Sequence, residues 1–174
     1  DVSAANFRIK GALSITAPAL NDFWEIGRVY QINWDTAGSI DTVKIEYCTD
    51  GAFAPATTYT IAAAAPNTGL DKGKYNWTVL DTATATAKIR ITDTSAGNSD
   101  VTDSSENFHI RGFFQVLSPN GGEKWKVGEQ KDISWQWGGT IARVKLSYST
   151  TGINGTYKSI GEVDNGSGGG GTHS

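Results

Sequence analysis

Apolar and polar residues alternate along much of the chain, which is the period-two pattern of β-strands that bury one face. Gly, Asn, Asp and Ser turns separate the alternating segments, and no helical periodicity lies between them. The pattern predicts about seven short strands in the first 110 or so residues. The alternating apolar positions are Leu13 and Ile15; Tyr30, Ile32 and Trp34; Val43, Ile45 and Tyr47; Tyr75, Trp77 and Val79; Ile89 and Ile91; and Phe108 and Ile110.

The same pattern returns 101 residues later, which indicates an internal repeat. Beyond Gly51 the register slips, so that Tyr59 aligns with Tyr157 through a shorter turn. So many identities at one spacing indicate tandem copies of one module. The matching pairs include Ser3/Ser104, Asn6/Asn107, Phe7/Phe108, Ile9/Ile110, Pro18/Pro119, Trp24/Trp125, Ile32/Ile133, Trp34/Trp135, Val43/Val144 and Tyr47/Tyr148.

The repeat predicts three segments. Residues 1–10 match the last strand of a preceding module, residues 11–112 form one complete module, and residues 113–174 form the N-terminal part of a second, incomplete module. Seven strands in about 100 residues are typical of an immunoglobulin-like or fibronectin III-like β-sandwich. The predicted fold class is therefore all-β, with tandem sandwich modules, and a barrel is the weaker alternative. Only Arg111 and Gly112 separate the modules, so we expect a semi-rigid rod.

The second module stops where the counterpart of Tyr75–Val79 should begin, so that three strands are missing. Large apolar side chains left in water cost about 1.5–3 kcal/mol each, so this half-sandwich should not be stable alone. The residues it would leave exposed are Phe114, Val116, Ile133, Trp135, Val144, Leu146 and Tyr148. Either the polypeptide continues beyond Ser174, with Asn165–Gly171 as a flexible loop, or a neighbouring subunit supplies the strands. In the second case the orphan strand Asn6–Lys10 completes another half-domain. We favour the first interpretation. The loop at residues 165–171 would have the same sequence in either case, so it gives no reason to invoke a neighbouring subunit.

Composition and charge exclude several classes of function. The net charge is −3 and the pI about 5.3, which excludes the basic field that nucleic acid or anionic lipid attracts. No apolar run approaches the roughly 20 residues of a membrane span. The single cysteine, Cys48, has no partner for a disulfide or a zinc site. His109 and His173 are the only histidines, and neither lies in a catalytic motif. We therefore predict that the protein has no catalytic residues and is not an enzyme.

An acidic loop between two predicted strands is the one candidate metal site. Asp93, Asn98, Asp100 and Asp103 bring hard oxygen ligands together, which favours Ca²⁺, although their spacing differs from that of an EF-hand. The alternative is a solvated loop, since Asp and Asn also favour turns, and we prefer it. No other cofactor is predicted.

Tryptophans and sequons supply the remaining candidates. Aromatic faces pack on sugar rings, but five of the six tryptophans fit core positions. Trp137 replaces Thr36 of the first repeat, so it is an extra core residue, an intermodule contact or an exposed ligand-binding aromatic. Three tripeptides fit the N-glycosylation sequon, at Asn76, Asn154 and Asn165, although so short a motif also recurs by accident.

Five sets of motifs recur in the two modules or in the complete one. They are Pro119–Trp125 with Gly128, Ile133 and Trp135; Val43–Tyr47; Tyr75–Val79; Lys88–Asp93; and Ser104–Ile110. Together they resemble the Ser-Thr-rich glycosylphosphatidylinositol-anchored membrane family, first known from yeast cell-wall assembly proteins. The first module departs from the family's Gly-Gly turn at Ala19–Asp22. The resemblance implies a secreted, wall-associated or surface-displayed module, such as occurs in tandem in large bacterial and archaeal surface proteins, with a glycan as its ligand if it has one. The family supplies no catalytic residues.

We therefore expect a structural repeat of an extracellular protein, such as a stalk, filament or surface layer. Its partners would be copies of itself or further modules of the same polypeptide, with strand complementation between subunits as one mode of assembly. The alternative is a glycan-binding accessory module of a secreted carbohydrate-active or adhesive protein, which needs a solvent-facing row of two or three aromatic rings.

Overall fold

The computed structural model describes residues 8–165 and 170–173. The chain divides into two compact units, Asp1–Arg111 (unit 1) and Gly112–Ser174 (unit 2). The predicted all-β fold is confirmed: the helical segments of the described residues are two single 3-10 turns, and neither has the length or apolar character to cross a membrane. Most of the predicted strand at residues 1–10 lies outside the described residues, and Arg8–Lys10 belong to no strand.

Unit 1 is a sandwich of two sheets, one ordered β1-β3-β6 and the other β2-β9-β7-β4-β5, with β8 paired to β7. Neighbouring strands are antiparallel except β2 and β9, which run parallel. The strands are β1 (Ala12–Ala17), β2 (Phe23–Glu25), β3 (Val29–Ala37), β4 (Thr42–Cys48), β5 (Thr58–Pro66), β6 (Lys74–Thr78), β7 (Thr84–Asp93), β8 (Thr102–Ser104) and β9 (Phe108–Arg111), and the 3-10 turns are Pro55–Thr57 and Gly69–Asp71.

The alternating apolar residues of both sheets meet in one core. At its centre the Trp24 ring contacts Tyr30, Trp77 and Phe108 with ring centroids 5.0–6.0 Å apart, so both sheets and β9 are joined by one aromatic cluster. The buried apolar positions include Leu13, Ile32, Trp34, Val43, Ile45, Tyr47, Ile89, Ile91 and Ile110.

Three strands of unit 1 were not predicted. β2 and β8 are only three residues long, and pairing with β9 and β7 defines them. β5 is rich in Ala, which has low β-propensity, and it forms as an edge strand on β4. Short or edge strands carry too few alternating residues for periodicity to reveal them.

Glu46 is a polar residue between the apolar positions Ile45 and Tyr47, yet it is buried. It lies on the outer face of β4, where Lys44 Nζ approaches its carboxylate to 2.6 Å and Arg90 Nη2 to 2.8 Å. Burial raises the pKa of Glu46, but the hydrogen bonds and charges of Lys44 and Arg90 outweigh burial and hold this pKa below 4.5.

We expect Glu46→Gln to lower the free energy of unfolding at pH 7 by about 1–3 kcal/mol, because a charged hydrogen-bonded group is lost. A carboxylate with a lowered pKa stabilises the fold above its unfolded pKa, and this stabilisation is lost as pH falls through the folded pKa. The difference between the two proteins should therefore shrink below pH 4.5, as urea unfolding at a series of pH values would show. A difference independent of pH would contradict this account.

Unit 2 repeats only part of this architecture. One sheet is ordered β10-β11-β14, and the other contains β12 and β13. The buried core consists of Trp135, Trp137 and Leu146. The strands are β10 (Phe113–Ser118), β11 (Ile133–Gly138), β12 (Arg143–Tyr148), β13 (Lys158–Asp164) and β14 (Gly170–His173).

The prediction that Asn165–Gly171 is a flexible loop is partly wrong. Asn165 is buried, and Gly170 and Gly171 begin β14, which pairs with β11 as β6 pairs with β3. A Cβ atom at Gly171 would clash with the indole ring of Trp135, so the close approach requires glycine. The chain therefore enters the counterpart of β6, which the sequence analysis placed just beyond its end.

Candidate functional site

Unit 2 has an open cavity of about 550 Å³ with a largely apolar lining. Three aromatic rings and several aliphatic side chains line it, with Lys145 at its edge. We call this surface the open face; its principal residues are Phe114, Val116, Trp125, Leu146, Tyr148 and Ile160.

The open face is built from positions that are core in unit 1. Phe114, Trp125 and Tyr148 are 45%, 43% and 47% exposed. Their counterparts one repeat earlier, Leu13, Trp24 and Tyr47, are 9%, 5% and 1% exposed. Because all three positions hold large apolar or aromatic residues in both units while exposure differs, the open face is an uncovered core rather than an ordinary surface.

Strands β7 and β9 provide the missing cover in unit 1. β4 pairs with β5 on one side and with β7 on the other, whereas β12 pairs with β13 alone within the described part of the chain. β9 places Phe108 against Trp24 and pairs with β2. Residues 124–126, the counterpart of β2, lie in irregular structure, because a strand needs a hydrogen-bonded partner.

The sequence analysis expected exposure at seven core positions of unit 2. Phe114, Val116 and Tyr148 are exposed, but Trp135 and Leu146 are buried. Trp125, which it assigned to the core, is exposed. The signal that was available is the position of Phe108: its ring contacts Trp24 in unit 1, and its counterpart one repeat later would lie beyond residue 174. A tryptophan is buried only when the residues that cover it are present.

The two units share a second feature, a buried Trp–Asn pair. Trp34 Nε1 donates a hydrogen bond to Asn67 Oδ1 at 3.0 Å, and Trp135 Nε1 donates to Asn165 Oδ1 at 2.7 Å. Asn67 Nδ2 donates to the carbonyl of Ile40 at 2.8 Å, and Asn165 Nδ2 donates to the equivalent carbonyl at 3.0 Å. A buried amide with both ends paired holds a loop against the core. The sequence analysis missed this role of the two asparagines.

Each of the four acidic-loop residues predicted as Ca²⁺ ligands forms a hydrogen bond or an ion pair in the structure. Asp93 accepts hydrogen bonds from Ser95 N and Asn98 Nδ2, and Asp103 accepts one from the backbone N–H of Ile15 at 2.7 Å. Asp100 pairs with Lys10. Burial raises the pKa of Asp93, but its hydrogen bonds outweigh burial and lower this pKa overall.

No group of three or more His, Cys, Asp or Glu side chains suited to a metal ion occurs among residues 8–165 and 170–173. The carboxylates of Asp93 and Asp103 bind the backbone N–H groups of Ser95 and Ile15, which is how carboxylates stabilise a turn. The Ca²⁺ site stays a prediction.

Trp137 and Asn165 lie in the interior, which corrects two further predictions. Trp137 is 7% exposed and belongs to the core of unit 2, so it is the extra core residue rather than a ligand-binding aromatic. Asn165 is 3% exposed with its amide hydrogen-bonded, so a glycan on it is incompatible with this fold. Asn76 and Asn154 are exposed and remain candidate glycosylation positions.

His109 takes part in a surface contact. Its ring stacks on Phe23 at 4.7 Å, and the guanidinium of Arg111 lies 4.3 Å from the centre of the same Phe23 ring. Cys48 is buried. Neither residue faces a partner that would make it a base or a nucleophile among the contacts of the described chain.

Comparison with known proteins identifies the family. Residues 17–110, more than half of the chain, match the Kre9/KNH-like N-terminal Ig-like domain. No curated protein and no solved structure is significantly similar to the chain. The match agrees with the β-sandwich of unit 1, and this family is not a known enzyme family. The chain therefore belongs to the Kre9/KNH-like N-terminal Ig-like domain family, a yeast cell-wall assembly family.

Proposed function

We propose that this chain is a structural repeat of a large extracellular surface protein, acting in a stalk, filament or surface layer. The family relates it to the cell wall, which supports a place outside the cell. Tandem use of the module in bacterial or archaeal surface proteins remains part of the proposal.

One observation supports this role most strongly: the repeat preserves a buried Trp–Asn pair that holds the core together, but not the exposed aromatic residue of β2. The Trp34–Asn67 pair recurs as Trp135–Asn165 with the same acceptors. By contrast, the surface residue Phe23 becomes Lys124. A binding or catalytic module should preserve its site, whereas a structural array needs only its core and turns.

The second candidate is a glycan-binding accessory module. The open face favours it in one respect, because Phe114, Trp125 and Tyr148 present three rings around one cavity. The argument against it is that all three are core positions in unit 1, so their exposure follows from missing cover. We therefore place the structural role first.

A polysaccharide depletion assay tests the choice. The full chain is mixed with insoluble β-glucan, chitin or cellulose, and the protein left in solution is measured after centrifugation. We expect no depletion beyond that of an unrelated β-sandwich protein. Depletion that Trp125→Ala removes and Phe23→Ala leaves intact would contradict the structural role, since Phe23 is an equally exposed ring on unit 1.

A further inference from the structure

We propose that Asn76 is the attachment site of an N-linked glycan, which is transferred from a lipid-linked oligosaccharide. The site lies on β6, an edge strand of unit 1, and beside a polar groove that gives the first sugar room. The inference rests on the extracellular location in the proposed function, because this modification belongs to the surfaces of secreted proteins. It adds to that function a covalent modification at one position.

The strand places the two polar residues of the sequon on one face. Successive side chains of a strand point to opposite sides of the sheet, so Asn76 and Thr78 project together while Trp77 points inward. Both polar residues are exposed, whereas Trp77 is buried in the core of unit 1. The amide and the hydroxyl that together define the sequon therefore remain accessible side by side in the folded protein.

The position of β6 in the sheet keeps this site open. In the order β1-β3-β6 it is the last strand, and it pairs with β3 on its inner side. A bulky group on its outward face therefore meets no neighbouring strand at the outer edge. Asparagine is uncommon in strands, so strand formation does not explain why Asn76 stands at the centre of β6.

The amide of Asn76 is oriented by a cross-strand contact that a glycan leaves intact. Gln31 lies directly opposite on β3, and its Nε2 donates a hydrogen bond to Asn76 Oδ1 at 3.2 Å. A glycan is joined to Nδ2 instead, so the hydrogen bond and the glycan are compatible. The alternative is that Asn76 serves only as this unmodified amide pair, which predicts no added mass.

A groove of about 480 Å³ lies beside the amide. Its lining includes Asp71, Lys74 and Tyr75 in addition to Gln31 and Asn76. Carboxylate, ammonium and amide groups form hydrogen bonds with sugar hydroxyls, and an aromatic ring packs on a sugar ring. The volume falls within the range of about 300–1,000 Å³ that is typical of small-molecule sites. The first sugar can therefore lie against the protein.

The other two sequons lack this combination. Asn165 is buried, and its Nδ2 already donates to the carbonyl of Ile141 at 3.0 Å. Asn154 is exposed, but it lies in a turn that a hydrogen bond of 3.0 Å from the Gly155 amide closes. Strand alternation does not align the polar residues of that sequon. Asn76 is therefore the sequon that we assign.

The attachment is a substitution at a sugar carbon. Nδ2 of Asn76 forms a bond to the anomeric carbon of an oligosaccharide that is carried on a lipid diphosphate. The bond between that carbon and the diphosphate oxygen breaks, and the lipid diphosphate leaves with the electron pair. Nδ2 loses one proton, and nothing is oxidised or reduced.

Peptide mass mapping of the full chain, isolated from the cells that produce it, tests the proposal. Trypsin cleaves after Lys74 and Lys88 and releases Tyr75–Lys88, which contains the Asn76 sequon and neither of the others. We expect the mass of this peptide to exceed that of its sequence by one or more sugar units. The peptide also contains several threonines, which can carry O-linked sugars, so variants of the sequon must assign the added mass.

Three variants make this assignment. Asn76→Gln and Thr78→Val should each remove the added mass, whereas Thr78→Ser keeps the sequon and should keep the mass. Valine is branched like threonine, so Thr78→Val preserves the strand. Asn154→Gln is the matched control and should leave Tyr75–Lys88 unchanged.

Three results would each overturn the proposal. They are an unmodified Tyr75–Lys88, an added mass that survives Thr78→Val, and a glycan found only on Leu146–Lys158, the tryptic peptide that contains Asn154. Each would leave the structural role in place, because the polysaccharide depletion assay tests that role separately.

Discussion

Asn67→Leu should lower the free energy of unfolding of unit 1 by about 3–5 kcal/mol. Asn67 is 1% exposed, and its side chain accepts hydrogen bonds from Trp34 Nε1 and the Gly73 amide, each at 3.0 Å, and donates to the Ile40 carbonyl. Leucine has a similar size but leaves two buried groups and the part-buried Gly73 amide without these partners, and each unpaired buried group costs about 1–3 kcal/mol. Urea unfolding followed by tryptophan fluorescence would measure the loss.

Two variants calibrate that measurement. Thr36→Val removes a neighbouring hydroxyl that also bonds to Asn67, at 3.1 Å from its Nδ2, while the Trp34 contact is kept, so it should cost about 1 kcal/mol. Asn165→Leu should instead lower the free energy of unfolding of unit 2, because it removes the hydrogen bond between Trp135 and Asn165. If Asn67→Leu costs no more than Thr36→Val, the amide does not organise the loop as described.

Grafting the missing strands onto unit 2 should raise the free energy of unfolding of this unit, by an amount similar to the loss expected for Asn67→Leu in unit 1. His173 occupies the pairing position of Tyr75, so residues 75–112 can be joined directly after Thr172. The graft supplies counterparts of β7 and β9, which would bury Phe114, Trp125 and Tyr148 as their counterparts are buried in unit 1. Each large side chain gains about 1.5–3 kcal/mol on burial, so unit 2 should gain at least about 3 kcal/mol.

Hydrogen exchange of the β12 backbone amides would report this gain directly, because the graft pairs the β12 edge that β7 pairs in unit 1. The control is the same graft with Phe108→Asp and Ile110→Asp, which keeps the length but puts charges into the apolar face. Equal protection of β12 in both grafts would mean that the open face is not an uncovered core.

Much of the fold was predictable because burial alternates along most of the longer strands. Leu13, Ile32, Trp34, Val43 and Ile45 were placed inward by periodicity and are buried. The repeat also predicted that Phe114 and Tyr148 would lack cover, since it showed which strands unit 2 does not contain. Both inferences need only local patterning and a comparison of the chain with itself.

The candidate site was less predictable, because exposure depends on residues distant in sequence. Trp24 and Trp125 are the same residue type in the same local context, yet one is buried and the other is 43% exposed. The difference comes from Phe108, which lies 84 positions after Trp24 and touches its ring. No local pattern around Trp125 records whether that cover is present.

The amino-acid sequence by itself determined the strand periodicity, the 101-residue repeat and the core positions, because these follow from alternation and identity along one chain. Only the tertiary structure decided how the polar residues are used. It paired Asn165 with Trp135, turned Asp103 toward the β1 backbone and enclosed Glu46 between two cations. A polar side chain takes whichever partner the fold brings within about 3 Å, and that partner lies at no fixed distance along the sequence.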